Sequence, residues 1–392
     1  MNATELNWLR GVGSPPAREL HQPHWIALGY VTESAPPMPP GHSEAKQIRV
    51  ARQIRAADPS IYVLPGTAWD MVFVPKGNAT HAMFDVDDEF NARPSLELRC
   101  NGSLALRPDG TRVHDWANPA ARALWASAFR RFADSGALRG ALLDGIGKCR
   151  HSEQPAPAGS AADGCGASAG YDIYSNANCS AAQRAAWSAG EALAAAAVRQ
   201  AVGADNLTIC NGHDTVFSSQ AGEYRDGALG AWPPSPRWCN GNFQEEWQGF
   251  VVDVLLLLRA SAVPDYVSAV RSIGYSVDKP GDTDHSFNRT LAAFLVAAQE
   301  HSYFLHYLGY DCGNSGQMDY HREYLQPLGA PLGNATGSCL APDGPCVLRR
   351  EFAHGVKVYY SGNASQGKER TCIRWGDGSF TEYGDGCTAS GL

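Results

Sequence analysis

Short apolar runs ending in Gly, Pro, Asn or an acid recur along this chain, and stretches of helix-forming composition separate them. Residues 25–30, 61–66, 141–144, 207–210, 241–246, 272–277 and 303–308 read as strands, the second closed by its Pro65-Gly66 pair. Helical composition fills 45–57, the stretch after Pro119 with apolar positions Ala123, Leu124, Ala128 and Phe129, then 181–202, the run from Phe250, and 291–300. A strand that is apolar at successive positions is buried on both faces, and a parallel sheet covered by helices buries both. The alternation therefore predicts an α/β chain folded as a TIM (β/α)8 barrel over residues 1–340. Residues 341–392 differ: alternating apolar and polar positions with Gly-Asp turns predict hairpins, read as a small C-terminal β appendage. The Ala-, Gly-, Ser-, Pro- and Cys-rich stretch 152–178 reads as an inserted surface loop.

The run Ala141-Leu142-Leu143-Asp144-Gly145 delivers a carboxylate at the end of a strand, which in a barrel points into the mouth where chemistry is done. About a hundred residues on, Asn242-Phe243-Gln244-Glu245-Glu246-Trp247 presents a second acid in the same setting. Two carboxylates at two strand ends suit glycoside hydrolysis, in which one acid protonates the leaving oxygen and the other, ionised, attacks or activates water. Alternation along a strand puts Glu245 and Glu246 on opposite faces, so only one points inward, and Glu245 shares its face with Phe243. An acidic pair opening the following helix is the competing account of both. His213, after the strand at 207–210, and Asp115 and Asp278 are candidate hydrogen-bonding groups for sugar hydroxyls. Trp69, Trp116 and Trp247, beside presumed strand ends, are candidate stacking platforms. Asp85, Asp87 and Asp88 read as a solvated acidic loop without EF-hand spacing.

Composition narrows the partners. The formal net charge is −8 and no long Lys/Arg cluster occurs, which argues against nucleic acid and anionic membrane and for an oligo- or polysaccharide. The longest apolar segment, 250–258, is too short to span a bilayer. No P-loop or H-E-x-x-H is present, and no C-x-x-C pair supports zinc, so neither cofactor nor metal is expected. The sequence does not specify an oligomeric state.

Compartment is signalled by eight Asn-X-Ser/Thr sequons, at Asn2, Asn78, Asn101, Asn178, Asn206, Asn288, Asn334 and Asn363, and by eleven cysteines. Together they predict a glycosylated, disulfide-bonded protein that is secreted or resides in the secretory lumen. Cys339 with Cys346 and Cys372 with Cys387 flank short loops and are expected to pair, whereas Cys210, inside an apolar run, is expected to be buried and unpaired. Met1–Leu6 lack the charged start and apolar core of a signal peptide, so a secreted form is either mature or begins upstream.

Taken in order, Asp115-x-x-Asn118-Pro119, the strand ending Asp144-Gly145, Glu245-x-Trp247, Pro327-Leu328-Gly329-x-Pro331 and Arg350-Glu351-Phe352-x-x-Gly355-x-x-Val358 form a pattern. It resembles the hypothetical glycosyl hydrolase family 15 and, more distantly, the α-galactosidase superfamily of barrel hydrolases. That resemblance implies a barrel in which Asp144, at strand four, is the nucleophile or base and the strand-six acid the proton donor. It fits Glu245 by the Glu-x-aromatic pattern. The Cys-rich insertion after Asp144 and the Cys339–Cys346 loop depart from the pattern. A non-catalytic, secreted carbohydrate-binding barrel is the alternative, since fold does not fix function.

Overall fold

The computed structural model describes residues 25–28, 42–57, 59, 62–68, 84–106, 112–144, 179–203, 206–211, 239–244, 249–261, 266–273, 283–298, 302–307, 321–339, 344–363 and 368–392. These residues fall into two compact units, one from Trp25 to Asn240 and the other from Gly241 to Leu392.

In the first unit, β1 (Trp25–Leu28), β2 (Tyr62–Ala68), β5 (Ala141–Asp144) and β6 (Thr208–Asn211) run parallel, paired in that order. The short antiparallel pair β3 (Arg99–Cys100) and β4 (Ser103–Leu104) stands apart. Helices α1 (His42–Ala57), α2 (Asp85–Asn91), α3 (Pro119–Asp134) and α4 (Ala181–Val202) supply the connections. The strand at 61–66 was expected to stop at Pro65-Gly66, yet β2 runs through both because its ladder changes partner there. Leu28↔Pro65 is the last pair with β1 and Gly66↔Leu142 the first with β5. The acids Asp85, Asp87 and Asp88, expected in a solvated loop, open α2 instead. Asp87 is buried, and Asp85 accepts a hydrogen bond from the Glu44 backbone N–H at 2.8 Å.

Helix α3 starts where the sequence says it should: Asn118 Oδ1 accepts from the Ala120 N–H at 2.9 Å and proline occupies the first turn. Its inward face is Ala121, Leu124, Trp125, Ala128, Phe129 and Phe132, while Ala123 is exposed. Helix α4 begins with a capping box in which Ser180 and Gln183 satisfy each other's backbone N–H groups. Gly190 interrupts its alanine-rich run for a steric reason, since a Cβ there would lie 2.0 Å from the Trp116 carbonyl oxygen. Alanine is the better helix former by about 1 kcal/mol, yet overpacking a close backbone contact costs ~1–3 kcal/mol. Gly190→Ala should therefore lower the thermal unfolding midpoint, and a raised midpoint would show that α4 does not approach this backbone closely.

The second unit continues the alternation with β7 (Gly241–Gln244), β8 (Val267–Ile273) and β9 (Ser302–Tyr307), all parallel, and helices α5 (Val251–Ser261) and α6 (Thr283–Ala297). β8 begins at Val267, five residues ahead of the 272–277 expected for it, of which Ser272 and Ile273 are among the described residues. An antiparallel five-stranded sheet follows: β10 (Thr336–Cys339), β11 (Pro345–Glu351), β12 (Lys357–Asn363), β13 (Lys368–Arg374) and β14 (Phe380–Tyr383). A one-turn helix, α7 (Gly386–Ser390), ends the chain.

Helix α6 explains the layout of this unit. Leu291 through Ala297 are seven consecutive buried residues, and a helix that is apolar all round needs cover on every side. One apolar cluster joins them to Val270 and Phe304 of the parallel strands and to Leu348, Val358, Tyr360 and Ile373 of the antiparallel sheet. Arg350, buried on β11, closes the far end of α6 by donating to the carbonyls of Leu295 and Ala298, and it also reaches Gly333. Burial lowers its pKa to about 10, which leaves it charged at neutral pH.

Four disulfides occur among the described residues. Cys339–Cys346 and Cys372–Cys387 are the two local pairs expected. Cys210, expected to be unpaired, is bonded to Cys239, and Cys100 is bonded to Cys179. No helix among the described residues is long and apolar enough to cross a membrane.

Candidate functional site

Three adjacent parallel strands of the first unit finish level with one another. Ala68 of β2 pairs with Asp144, and Asp144 pairs with Asn211 of β6. Asp144 is thus the last residue of its strand, flanked on both sides by strands ending at the same height. Because β5 lies directly beside β2, no further strand separates them, and Asp144 ends the third of the parallel strands described rather than a fourth. In sequence, Trp69 follows β2 and His213 comes two residues after β6. Both lie outside the described residues.

In the second unit β7 ends at Gln244, which pairs with Val270, so Glu245 is the next residue in sequence after the strand. Glu245, Glu246, Trp247 and Asp278 also lie outside the described residues. The described residues resume at Gly249, whose carbonyl accepts a hydrogen bond from the Tyr360 hydroxyl at 3.0 Å. Burial raises the pKa of that hydroxyl, first among its causes, so it remains a donor at any ordinary pH. Asp253 Oδ2 accepts from the Phe250 N–H at 3.2 Å and fixes the entry into α5. Gln244 and Gly249, the described residues on either side of Glu245 and Glu246 in sequence, are held by a parallel strand and by the antiparallel sheet.

Of two adjacent residues expected to contact sugar, Trp116 is closed off and Asp115 holds a turn. Trp116 is completely buried, its ring stacked on His114 at 4.6 Å and edge-on to Trp125 at 5.4 Å. A ring with no exposed face offers nothing for a sugar to stack on, so it is a packing residue. Asp115, half-buried beside it, turns the chain into α3 by accepting from the Ala117 N–H at 3.1 Å. Burial raises its pKa, opposed by the backbone N–H groups of Ala117 and Asn118 and by the charge of Arg122. The two C-terminal motifs of the sequence pattern also prove to be packing partners: Pro331 bridges Phe352, and the Ala353 N–H donates to the Ala330 carbonyl at 2.9 Å.

Sequence reasoning missed a buried polar chain on β8 and β9. Ser272 and His306 are register partners, with Ser272 Oγ 2.9 Å from His306 Nδ1 and donating to Thr290 Oγ1 of α6 at 3.0 Å. With Ser272 so oriented, His306 Nδ1 carries the proton and Nε2 is bare. Burial, reinforced by neighbouring His321, lowers its pKa to about 3. Because Thr290 belongs to α6, this chain lies in the layer between strand and helix, and no periodicity signal in the sequence marks it. Among the described residues no group of three or more His, Cys, Asp or Glu is arranged to hold a metal ion.

No family model matches the chain, and no curated protein sequence matches it. Solved structures with a similar course include a noncanonic maltogenic alpha-amylase from Thermotoga neapolitana, at 10% identity over 86% of this chain and 76% of that one, with a TM-score of 0.42. The alpha-amylase of Geobacillus thermoleovorans is 10% identical over 88% and 78%, with a TM-score of 0.43. A GH36 alpha-galactosidase from Geobacillus stearothermophilus is 9% identical over 95% of this chain and 46% of its own, with a TM-score of 0.47. This chain thus spans less than half the length of that galactosidase.

Proposed function

We propose that this protein is a secreted or secretory-lumen glycoside hydrolase acting on an oligo- or polysaccharide, with Asp144 as nucleophile or base and Glu245 as general acid. The observation that carries the reading is the level ending of β2, β5 and β6 at Asp144, the position from which a parallel β/α barrel presents its chemistry. The reading takes the parallel strands as members of one (β/α)8 barrel, and it follows the resemblance to the hypothetical glycosyl hydrolase family 15 in giving the second carboxylate to the strand carrying Glu245. The sheet contacts of Gln244 and Gly249, on either side of it in sequence, support this choice. His213, Trp69, Trp247 and Asp278 are its proposed substrate contacts.

Screening the purified protein against a glycan library with detection of new reducing ends tests the reading. Release of reducing ends supports hydrolysis, whereas saturable binding of a glycan without release would make the protein a carbohydrate-binding module. On a responsive substrate, Glu245→Gln should cut turnover by about a hundredfold or more when the leaving group is a sugar, and far less when it is a good leaving group that needs little protonation. Glu246→Gln is the control. Loss in Glu246→Gln alone would transfer the acid role to that residue.

A further inference from the structure

Three charged side chains converge where α5, α6 and the antiparallel sheet of the second unit meet. Glu369, the second residue of β13, is buried and pairs in register with Gly362 of β12. Alternation puts it on the face that Thr371 and Ile373 of the same strand present to α6. Gly362 leaves the space above it to its neighbours: a Cβ there would lie 2.6 Å from the Tyr360 hydroxyl and 2.7 Å from Val251 of α5. That hydroxyl donates to the Gly249 carbonyl, and Asp253 of α5, also buried, accepts from the Phe250 N–H. Arg289 of α6 lies against two rings, its guanidinium carbon 4.9 Å from the centre of Phe250 and 5.5 Å from that of Tyr383 on β14. Glu369, Asp253 and Arg289 all bear on the Tyr360 hydroxyl after burial, the two acids raising its pKa and the guanidinium opposing them.

The setting of Glu369 is unfavourable to a charge. Burial weighs most and disfavours the carboxylate; Arg289 and the residue's own backbone N–H favour it, and Asp253 opposes it. Among the described residues no side chain donates a hydrogen bond to this carboxylate. We propose that Glu369 is a proton-binding site of the folded protein, filled at a pH above that at which an ordinary glutamate is protonated, and that the proton tightens the joint between α5, α6 and the sheet. A neutral carboxyl escapes both the cost of an ion in a dry place and the repulsion of Asp253, and it gains a hydrogen to donate. The folded protein then holds this proton more tightly than the unfolded chain, in which glutamate titrates near 4.5. The contribution of Glu369 to stability therefore rises as the pH falls from neutrality and levels off below about 4.5. His306 of the same unit acts in the opposite sense, so the effect of Glu369 is read as a difference between variants. The catalytic assignment plays no part in this inference.

Thermal unfolding of the full-length parent and of Glu369→Gln, followed from about pH 8 to about pH 4.5, tests it. Glutamine keeps the size of the side chain and fixes it in the uncharged state. At about pH 8 the variant should unfold a few degrees above the parent, and the difference should close by about pH 4.5. A difference that does not change with pH, or one that widens on acidification, would overturn the inference. A second measurement reads the proton directly: with glutamate carboxyl carbons labelled with carbon-13, the signal lost in Glu369→Gln is followed through a pH titration of the parent. Should that variant not fold, Glu369→Asp identifies the same signal. A midpoint above the ordinary 4.5 is the expected result, and one at or below it would refute proton binding by the fold.

Discussion

Asp144→Asn should leave the protein folded and reduce turnover by about a thousandfold or more on any substrate found for it. The substitution is nearly isosteric and keeps most of the hydrogen-bonding capacity of the side chain, and it removes only the negative charge that a nucleophile or general base must supply. Asp144 closes a four-residue strand whose pairing on either side, with Ala68 and Asn211, is made by backbone groups that the substitution keeps. Stability and activity should therefore separate: an unchanged unfolding midpoint with lost turnover supports the assignment, and an active Asn variant would remove Asp144 from the mechanism. Comparing substrates adds resolution, because the Asp144 defect should persist with good leaving groups whereas the Glu245→Gln defect should fade.

Acid should destabilise the second unit through His306. Its pKa is lowered to about 3 in the folded state, chiefly by burial, against an ordinary value of 6.5. Between those values the unfolded chain binds a proton that the folded one does not, so stability is fully present above about 6.5 and is lost as the pH falls toward 3. Each pH unit in that window costs about 1.4 kcal/mol, or about 3 kcal/mol between pH 6.5 and pH 4. Carboxylates contribute their own acid sensitivity, so the informative quantity is a difference. His306→Gln retains a partner for Ser272 without a titrating nitrogen, and its stability should fall less than that of the parent between pH 7 and pH 4. Parallel losses in the two proteins would mean that His306 is protonated in the folded state or is reached by water.

The legible parts of the fold were those written locally. Helix α4 has its expected limits because Ser180 with Gln183 marks one end and Gly203 the other. Cys339–Cys346 and Cys372–Cys387 close loops of 7 and 15 residues, short enough for spacing to reveal them. Cys210–Cys239 and Cys100–Cys179, separated by 29 and 79 residues, depend on how strands and loops are brought together, and spacing carries no trace of that. Trp116 illustrates the same limit at the site. A tryptophan next to an acid before a helix reads alike whether it faces a cleft or a core, and this one is packed against the rings of His114 and Trp125. The strand ending at Asp144 was legible because a short apolar run closes on an acid.

Over Leu291–Ala297 helix α6 has no wet side, and that binds two stretches of chain into a single unit of inheritance. Its apolar circumference is clothed by α5, by strands that belong to the parallel architecture, and by a sheet drawn from the last sixty or so residues. A lineage that shed the sheet, or traded it for another module in a fusion, would expose the positions of Leu291–Ala297 that it had covered, and would have to recolour them with polar residues before the truncated chain stayed in solution. Shuffling at this junction is therefore costly in several coordinated substitutions at once, and relatives of this protein should keep or lose the sheet together with the apolar character of that helix.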